Sequence, residues 1–230
     1  ALLQQFTGTT SSPPRSAMSR GNICLNLSSV STALLKQVDL AVYSGECLAI
    51  HTEDRRLLDG MRRLATGQSA LLGGKVLIHR PMARDQRVAY IAENPSQMML
   101  FQDMSYLRNL TFCLPRRIDS WLRRRSIYRS LRRELTPELG AVFDKDIRDL
   151  NAQEKYALIF RRVLLQQPRV VFFEQPFWGN DVLLQQHIER QVQLLLDKKI
   201  AVVVLIVGIY DAFPLAERTL IYKNGHLLTQ

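Results

Sequence analysis

Apolar positions follow two different rhythms along this chain. RVVFFE (169–174) and IAVVVLIV (200–207) are unbroken apolar runs ended by polar residues, the pattern of strands buried on both faces. Between them, VLLQQHIERQVQLLLDKK (182–199) places Leu183, Leu184, Ile188, Val192, Leu195 and Leu196 on one side of a helix. Earlier, VDLAVYSGECLAI (38–50) gives two strand-like runs broken at Ser44-Gly45. RRLLDGMRRL (55–64) reads as a short helix, and GGKVLIHR (73–80) and RVAYIAEN (87–94) read as strands. From Asp103 to about Arg162 the pattern is mostly helical, and RTLIYKNGHLL (218–228) is a hairpin with an Asn-Gly turn. Buried strands alternating with amphipathic helices predict an α/β domain with a parallel sheet covered on both faces. The long helical stretch reads as an insertion, about 103–160, and residues 7–21, TGTTSSPPRSAMSRG, read as a linker. There is no internal repeat.

A hydrophobic content of 47% over 230 residues allows one large core. The most apolar run, 200–209, is far shorter than the roughly 20 residues of a membrane-spanning helix, and no signal peptide is visible. The chain starts at Ala1 without an initiator Met, which suggests a piece of something longer. Cys24, Cys47 and Cys113 are odd in number and far apart, so they suggest neither a disulfide framework nor a metal site, and a reducing cytoplasm is the default. His51, His79, His187 and His226 are scattered and form no metal set.

The net charge of +10 points toward nucleic acid or an anionic surface. Much of it lies in one segment, with Arg116, Arg117, Arg123, Arg124, Arg125, Arg129, Arg132 and Arg133. Trp121, Leu122, Ile127, Tyr128, Leu131 and Leu135 keep helical spacing there, with Asp119 as a cap. A solvated helix face is the first reading, and contact with anionic lipid or an acidic partner is the next. Nucleic acid ranks last, because aromatics are not interleaved as stacking platforms.

The order of the pieces from about Asn22 onward resembles the ATP-binding subunit of an ABC transporter. LLQQPRVVFFEQPF (164–177) and LAERTLIYKNGHLL (215–228) are most similar to that family. MMLFQDMSYLRNLTF (98–112), NAQEKYALIFRRVLLQQP (151–168) and EQPFWGND (174–181) resemble the degenerate second half of tandem monosaccharide-importer ATP-binding proteins. Residues 1–21 then resemble the tail of a preceding half and its linker. The resemblance implies an ABC-type nucleotide-binding domain over 22–230, with a RecA-like core, a small antiparallel β part near 22–90 and a helical insertion. It also implies an active ATP-binding half and a membrane permease as partners, at the inner face of the cell membrane. The sugar would bind to other subunits.

Position by position, the motifs carried over from the family depart from their ATP-handling forms. The phosphate loop, aligned without gaps from Gly45-Glu46, spans 52–60. Leu58 falls at the lysine, Asp59 and Gly60 at the Ser/Thr pair, and Thr52, Arg55 and Leu57 at the glycines. Such a loop cradles phosphates through glycine N–H groups and a lysine, whereas Glu53 and Asp54 repel them. Glu174 stands for the Asp that holds Mg²⁺ through water. Gln175 replaces the Glu that polarises the attacking water, and an amide is no carboxylate base. Glu93 replaces the sensing glutamine and Val207 the switch histidine. No aromatic lies between Phe6 and Tyr43 to stack on adenine. The signature motif reads LNAQE (150–154), with Asn151 as a helix cap and Glu154 placing an anion at the phosphate dock. Asp181 survives at the dimer-contact position. The expectation is a pseudo-ATPase: no catalytic residues, no metal, and ATP/Mg as a cofactor only if the site were unexpectedly competent. The alternatives are an active ATPase using Arg55 or Arg56 for the lysine, and a basic nucleic-acid-binding regulator.

Overall fold

A computed structural model describes residues 22–78, 88–112, 125, 126, 128–134, 140–208 and 212–229. Its strands are β1 (Ile23–Ser31), β2 (Val38–Tyr43), β3 (Cys47–Thr52), β4 (Gly73–Ile78), β5 (Val88–Ile91), β6 (Val170–Glu174), β7 (Ala201–Val207), β8 (Arg218–Lys223) and β9 (His226–Thr229). Its helices are α1 (Arg56–Ala65), α2 (Pro95–Met98), α3 (Tyr106–Thr111), α4 (Ala152–Gln166) and α5 (Val182–Asp197), with a short 3₁₀ turn at Ile147–Asp149. Residues 128–134 are also helical.

The unbroken apolar runs become the centre of a six-stranded sheet ordered β5-β6-β7-β3-β8-β9. Its first five strands are parallel, and β9 closes the edge antiparallel to β8. Every residue of β3 and β6 is buried. The pleat sends successive side chains to opposite faces, so two cores form. Cys47, Ala49, Val171, Phe173, Val202 and Val204 pack with α3, α4 and α5 on one face. Leu48, Ile50, Val170, Phe172, Val203 and Leu205 pack on the other with α1 and the inner face of a three-stranded antiparallel sheet, β2-β1-β4. The β8–β9 turn is Asn224-Gly225, with φ of 53° and 92°. Positive φ at both central residues is what a two-residue hairpin turn requires.

The structure refines two expectations and corrects one. The small antiparallel part expected near 22–90 is the sheet β2-β1-β4, while β3 and β5 of the same stretch join the parallel core sheet. A strand's sheet partners are set by distant residues, which local periodicity does not contain. Leu183, expected on the buried side of its helix, is 67% exposed; the buried stripe of α5 is Leu184, Ile188, Val192, Leu195 and Leu196. Finally, the helical stretch includes an isolated bridge between Ser105 and Asp146. Arg125, Arg129, Arg132 and Arg133 are exposed, and Tyr128 packs against the core. The linker 1–21, His79, Cys113, Arg116, Arg117, Arg123, Arg124 and the cap Asp119 lie outside the described residues.

Candidate functional site

Ligands of open parallel sheets bind beyond the carboxyl ends of the strands. Here that edge is formed by the ends of β3, β6 and β7, joined at Thr52, Gln175 and Val207. Thr52 pairs with Val207 in the ladder, and its carbonyl accepts from the Gly208 N–H at 2.8 Å. His51 is tied to the Gly208 carbonyl through Nδ1 at 2.9 Å.

The connection from β3 to α1 is short, with only Glu53, Asp54 and Arg55 between strand and helix. Of the nine aligned positions 52–60, Thr52 ends β3 and Arg56 to Gly60 lie in α1. Asp54 N–H donates to Thr52 Oγ1 at 2.9 Å. Asp54 Oδ1 accepts from the Arg56 backbone N–H at 2.9 Å, and both its oxygens accept from Arg56 Nε at 3.0 Å. A carboxylate at a helix start satisfies orphan N–H groups and complements the dipole. These hydrogen bonds from Arg56 hold the Asp54 carboxyl below its ordinary range. Arg55 reaches across to Glu93 at 3.2 Å.

Leu58, Asp59 and Gly60 lie within α1. Leu57, Leu58 and Met61 are buried in the core under the helix. Asp59 forms ion pairs with Arg62 and Arg63 one turn on. Gly60 packs closely on Leu35: a Cβ there would stand 2.7 Å from Leu35 Cδ2, so the Leu35 side chain would have to shift.

At the end of β6, Glu174 and Gln175 are both buried. Glu174 Oε2 accepts from the Glu93 backbone N–H at 3.3 Å. The Tyr90 hydroxyl is pushed well above the phenol range by burial and, secondarily, by Glu174, without a well-formed hydrogen bond of its own. Gln175 takes a left-handed φ of 44°, donates its N–H to the Leu205 carbonyl at 2.9 Å, and accepts the Val207 N–H on Oε1 at 3.0 Å. Among the described residues no three His, Cys, Asp or Glu side chains group as metal ligands.

Two further positions stand at helix starts. Asn151 caps α4 in a reciprocal capping box: Glu154 N–H donates to Asn151 Oδ1, and Asn151 N–H donates to Glu154 Oε2, each at 2.9 Å. Lys145 approaches Glu154 at 3.5 Å. Asp181 caps α5, its Oδ1 accepting from Leu184 N–H at 2.8 Å. The structure thus brings Thr52, Arg55, Glu93, Glu174, Gln175 and Val207 to one edge, and engages Asn151, Glu154 and Asp181 each at its own helix start. Sequence reasoning missed the Asp54 side-chain bond to the Arg56 N–H at the start of α1. An acidic residue just before a periodic helix was the available signal.

No family model matches the chain. It is 24% identical over 222 residues to the ribose import ATP-binding protein RbsA 2 of Burkholderia pseudomallei (strain 1710b), covering 90% of this chain and 43% of that protein. It is 22% identical over 204 residues to the spermidine/putrescine import ATP-binding protein PotA of Mesoplasma florum, covering 84% of this chain and 56% of that one. The chain thus spans about half or less of the length of these curated relatives. Among solved structures, a nucleotide-free ATP-binding cassette from an ABC transporter superposes with a TM-score of 0.71 at 16% identity, covering 90% of each chain. The cbiO1 protein of Clostridium perfringens, part of the ABC transporter complex cbiONQ, gives 0.70 at 15% identity, covering 90% of this chain and 87% of that one. No helix among the described residues is long and apolar enough to cross a membrane. The fold is that of an ABC ATPase nucleotide-binding domain, and the sequence is similar to the ATP-binding proteins of ABC import systems.

Proposed function

We propose that this domain is a catalytically impaired ATP-binding half of a sugar-import complex, which pairs with an active half and docks on a membrane permease at the cytoplasmic face. Its role is then structural or regulatory: holding the dimer and passing closure to the permease. The sugar assignment leans on the ribose-import relatives and on the monosaccharide-importer phrases in the sequence. Residues 1–21 are, on this reading, the linker from a preceding half, and 22–230 the impaired domain with its helical insertion.

The observation that carries the proposal is the β3–α1 connection. Three residues cannot offer the ring of N–H groups that a nucleotide's phosphates need, and Asp54 already occupies the helix start. Leu58 is in the core, so no ammonium stands where the family's lysine would. The arginines that would replace it are committed, Arg55 to Glu93 and Arg56 to Asp54. Gln175 supplies an amide, already bonded to Val207, and so no base for activating water. These residues do not fit a Mg-nucleotide held in the family manner. The test is phosphate release by the purified chain with Mg-ATP, alone and with its partner half carrying an inactivating substitution. The expected result is the blank rate, unchanged by Gln175→Glu. Saturable, Mg-dependent release would overturn the proposal.

A further inference from the structure

The stretch 116–133 holds eight arginines and one carboxylate, Asp119, and so carries seven of the chain's ten net positive charges. Residues 125, 126 and 128–134 are helical. Arg125, Arg129, Arg132 and Arg133 recur at i, i+4, i+7 and i+8, the spacing of one helical face, and all four are exposed. Tyr128 and Leu131 are half-buried, and Tyr128 packs against the core, which leaves the arginine face outward.

Folding does not account for this face. Like charges three and four residues apart repel one another along a helix. Arg132 meets Asp144 at 2.8 Å, but the two side chains are 48% and 74% exposed, so the pair adds little stability. Arg129 and Arg133 form no ion pair among the described residues. Glu134, the one carboxylate among the described residues of this helix, accepts from the Ser130 hydroxyl at 3.1 Å. Cations gathered against their own repulsion are stabilised by an array of anions in front of them, and guanidinium forks match phosphate oxygens in pairs. The face spans eight residue steps, about 12 Å of helix. Among the described residues it presents no aromatic ring for stacking bases, since Tyr128 packs on the core. A phospholipid surface offers phosphates on that scale without a groove.

We propose that the face formed by Arg125, Arg129, Arg132 and Arg133 docks on anionic phospholipid headgroups at a bilayer surface, held by charge and without insertion. The choice of a bilayer over a polynucleotide rests on the proposed place of this domain beside a membrane permease. The contact needs neither permease nor nucleotide, so its failure is distinguishable from that of the proposed function, which phosphate release tests.

The test is co-flotation of the full chain with vesicles of phosphatidylcholine mixed with phosphatidylglycerol, beside vesicles of phosphatidylcholine alone and a DNA duplex. The expected result is saturable binding to the mixed vesicles, lost at high salt as screening shortens the reach of the charges, and absent with neutral vesicles. Each arginine near an anionic surface adds severalfold to the affinity, so Arg125→Glu with Arg129→Glu and Arg133→Glu should weaken binding at least about tenfold, with the melting temperature close to the parent's. Replacing the same three by lysine should keep most of it. Lys75→Glu with Lys198→Glu and Lys223→Glu, an equal change of charge at other exposed positions, should weaken it far less. Equal binding to neutral vesicles, tighter binding to the duplex than to the mixed vesicles, or equal losses in the arginine and lysine reversals would overturn the proposal.

Discussion

Replacing Leu58 by lysine restores, on paper, the residue that meets the phosphates in this fold. The structure gives the opposite expectation. Leu58 is 4% exposed and packs in the cluster of Leu57, Met61, Leu48 and Phe172 beneath α1. Removing its burial forfeits about 1.5–3 kcal/mol of apolar transfer energy. The new ammonium must then be desolvated, which is costly, or reach water along its own stem, which limits that cost. A net loss of about 3 kcal/mol corresponds to a fall in melting temperature of about 6–12 °C for a chain of this size. The assay is thermal and urea unfolding of Leu58→Lys beside Leu58→Met, a volume-conserving control that should lose less than about 1.5 kcal/mol. Mg-ATP should not restore the lysine variant. A variant that melts within about 2 °C of the parent, and whose melting temperature climbs saturably with Mg-ATP, would place Leu58 at the phosphates and refute the three-residue loop.

Three further substitutions probe other parts of the structure. Gln175→Glu puts a carboxyl in a buried position beside Glu174, and both burial and like charge favour its neutral form. Its folded-state pKa should therefore lie above the unfolded value of about 4.3, so stability falls as pH rises between the two. The variant should match the parent most closely at the acid end of the native range and lag it most at about pH 8; a pH-independent difference in melting temperature would contradict this. Asn151→Ala removes the cap of α4 and should lower stability by about 1 kcal/mol, read as a shift in urea midpoint with unchanged slope, while Glu154→Gln keeps the reciprocal bond and should be nearly neutral. Reversal of Arg125, Arg129 and Arg133 to Glu should change stability by no more than about 0.5 kcal/mol per site, since all three are exposed; cooperative loss of structure by circular dichroism would show that this helix is packed.

The core was legible because its strands carry no polar face. VVFF and AVVVLIV permit only a doubly covered sheet, and the Asn-Gly pair permits a tight hairpin at one place. The α4 start was legible for the same kind of reason, since Asn151 and Glu154 have the spacing of a capping box. What stayed hidden was non-local. Whether β3 joins its sequence neighbour β2 or the distant strands β7 and β8 depends on contacts more than a hundred residues away. The aligned motif positions alone did not show where α1 begins. The helix start is set by where Leu57, Leu58 and Met61 find the core and where Asp54 accepts the Arg56 N–H.

A ligand site keeps polar groups unsatisfied until the ligand arrives, and a buried orphan donor or acceptor costs about 1–3 kcal/mol. At this strand edge the chain's own groups fill those roles. The start of α1 has Asp54, Glu174 receives the Glu93 N–H, and Gln175 receives the Val207 N–H. At the start of α4 Asn151 and Glu154 satisfy each other. The Tyr90 hydroxyl is an exception, buried without a formed hydrogen bond. On the proposed reading, losing the phosphate chemistry therefore removes a source of instability. The strands that carry these ends are buried along their length, and their packing does not depend on what stands one residue beyond them. On the same reading, that separation between core and edge lets a cassette fold persist while its strand edge is closed by the chain's own groups.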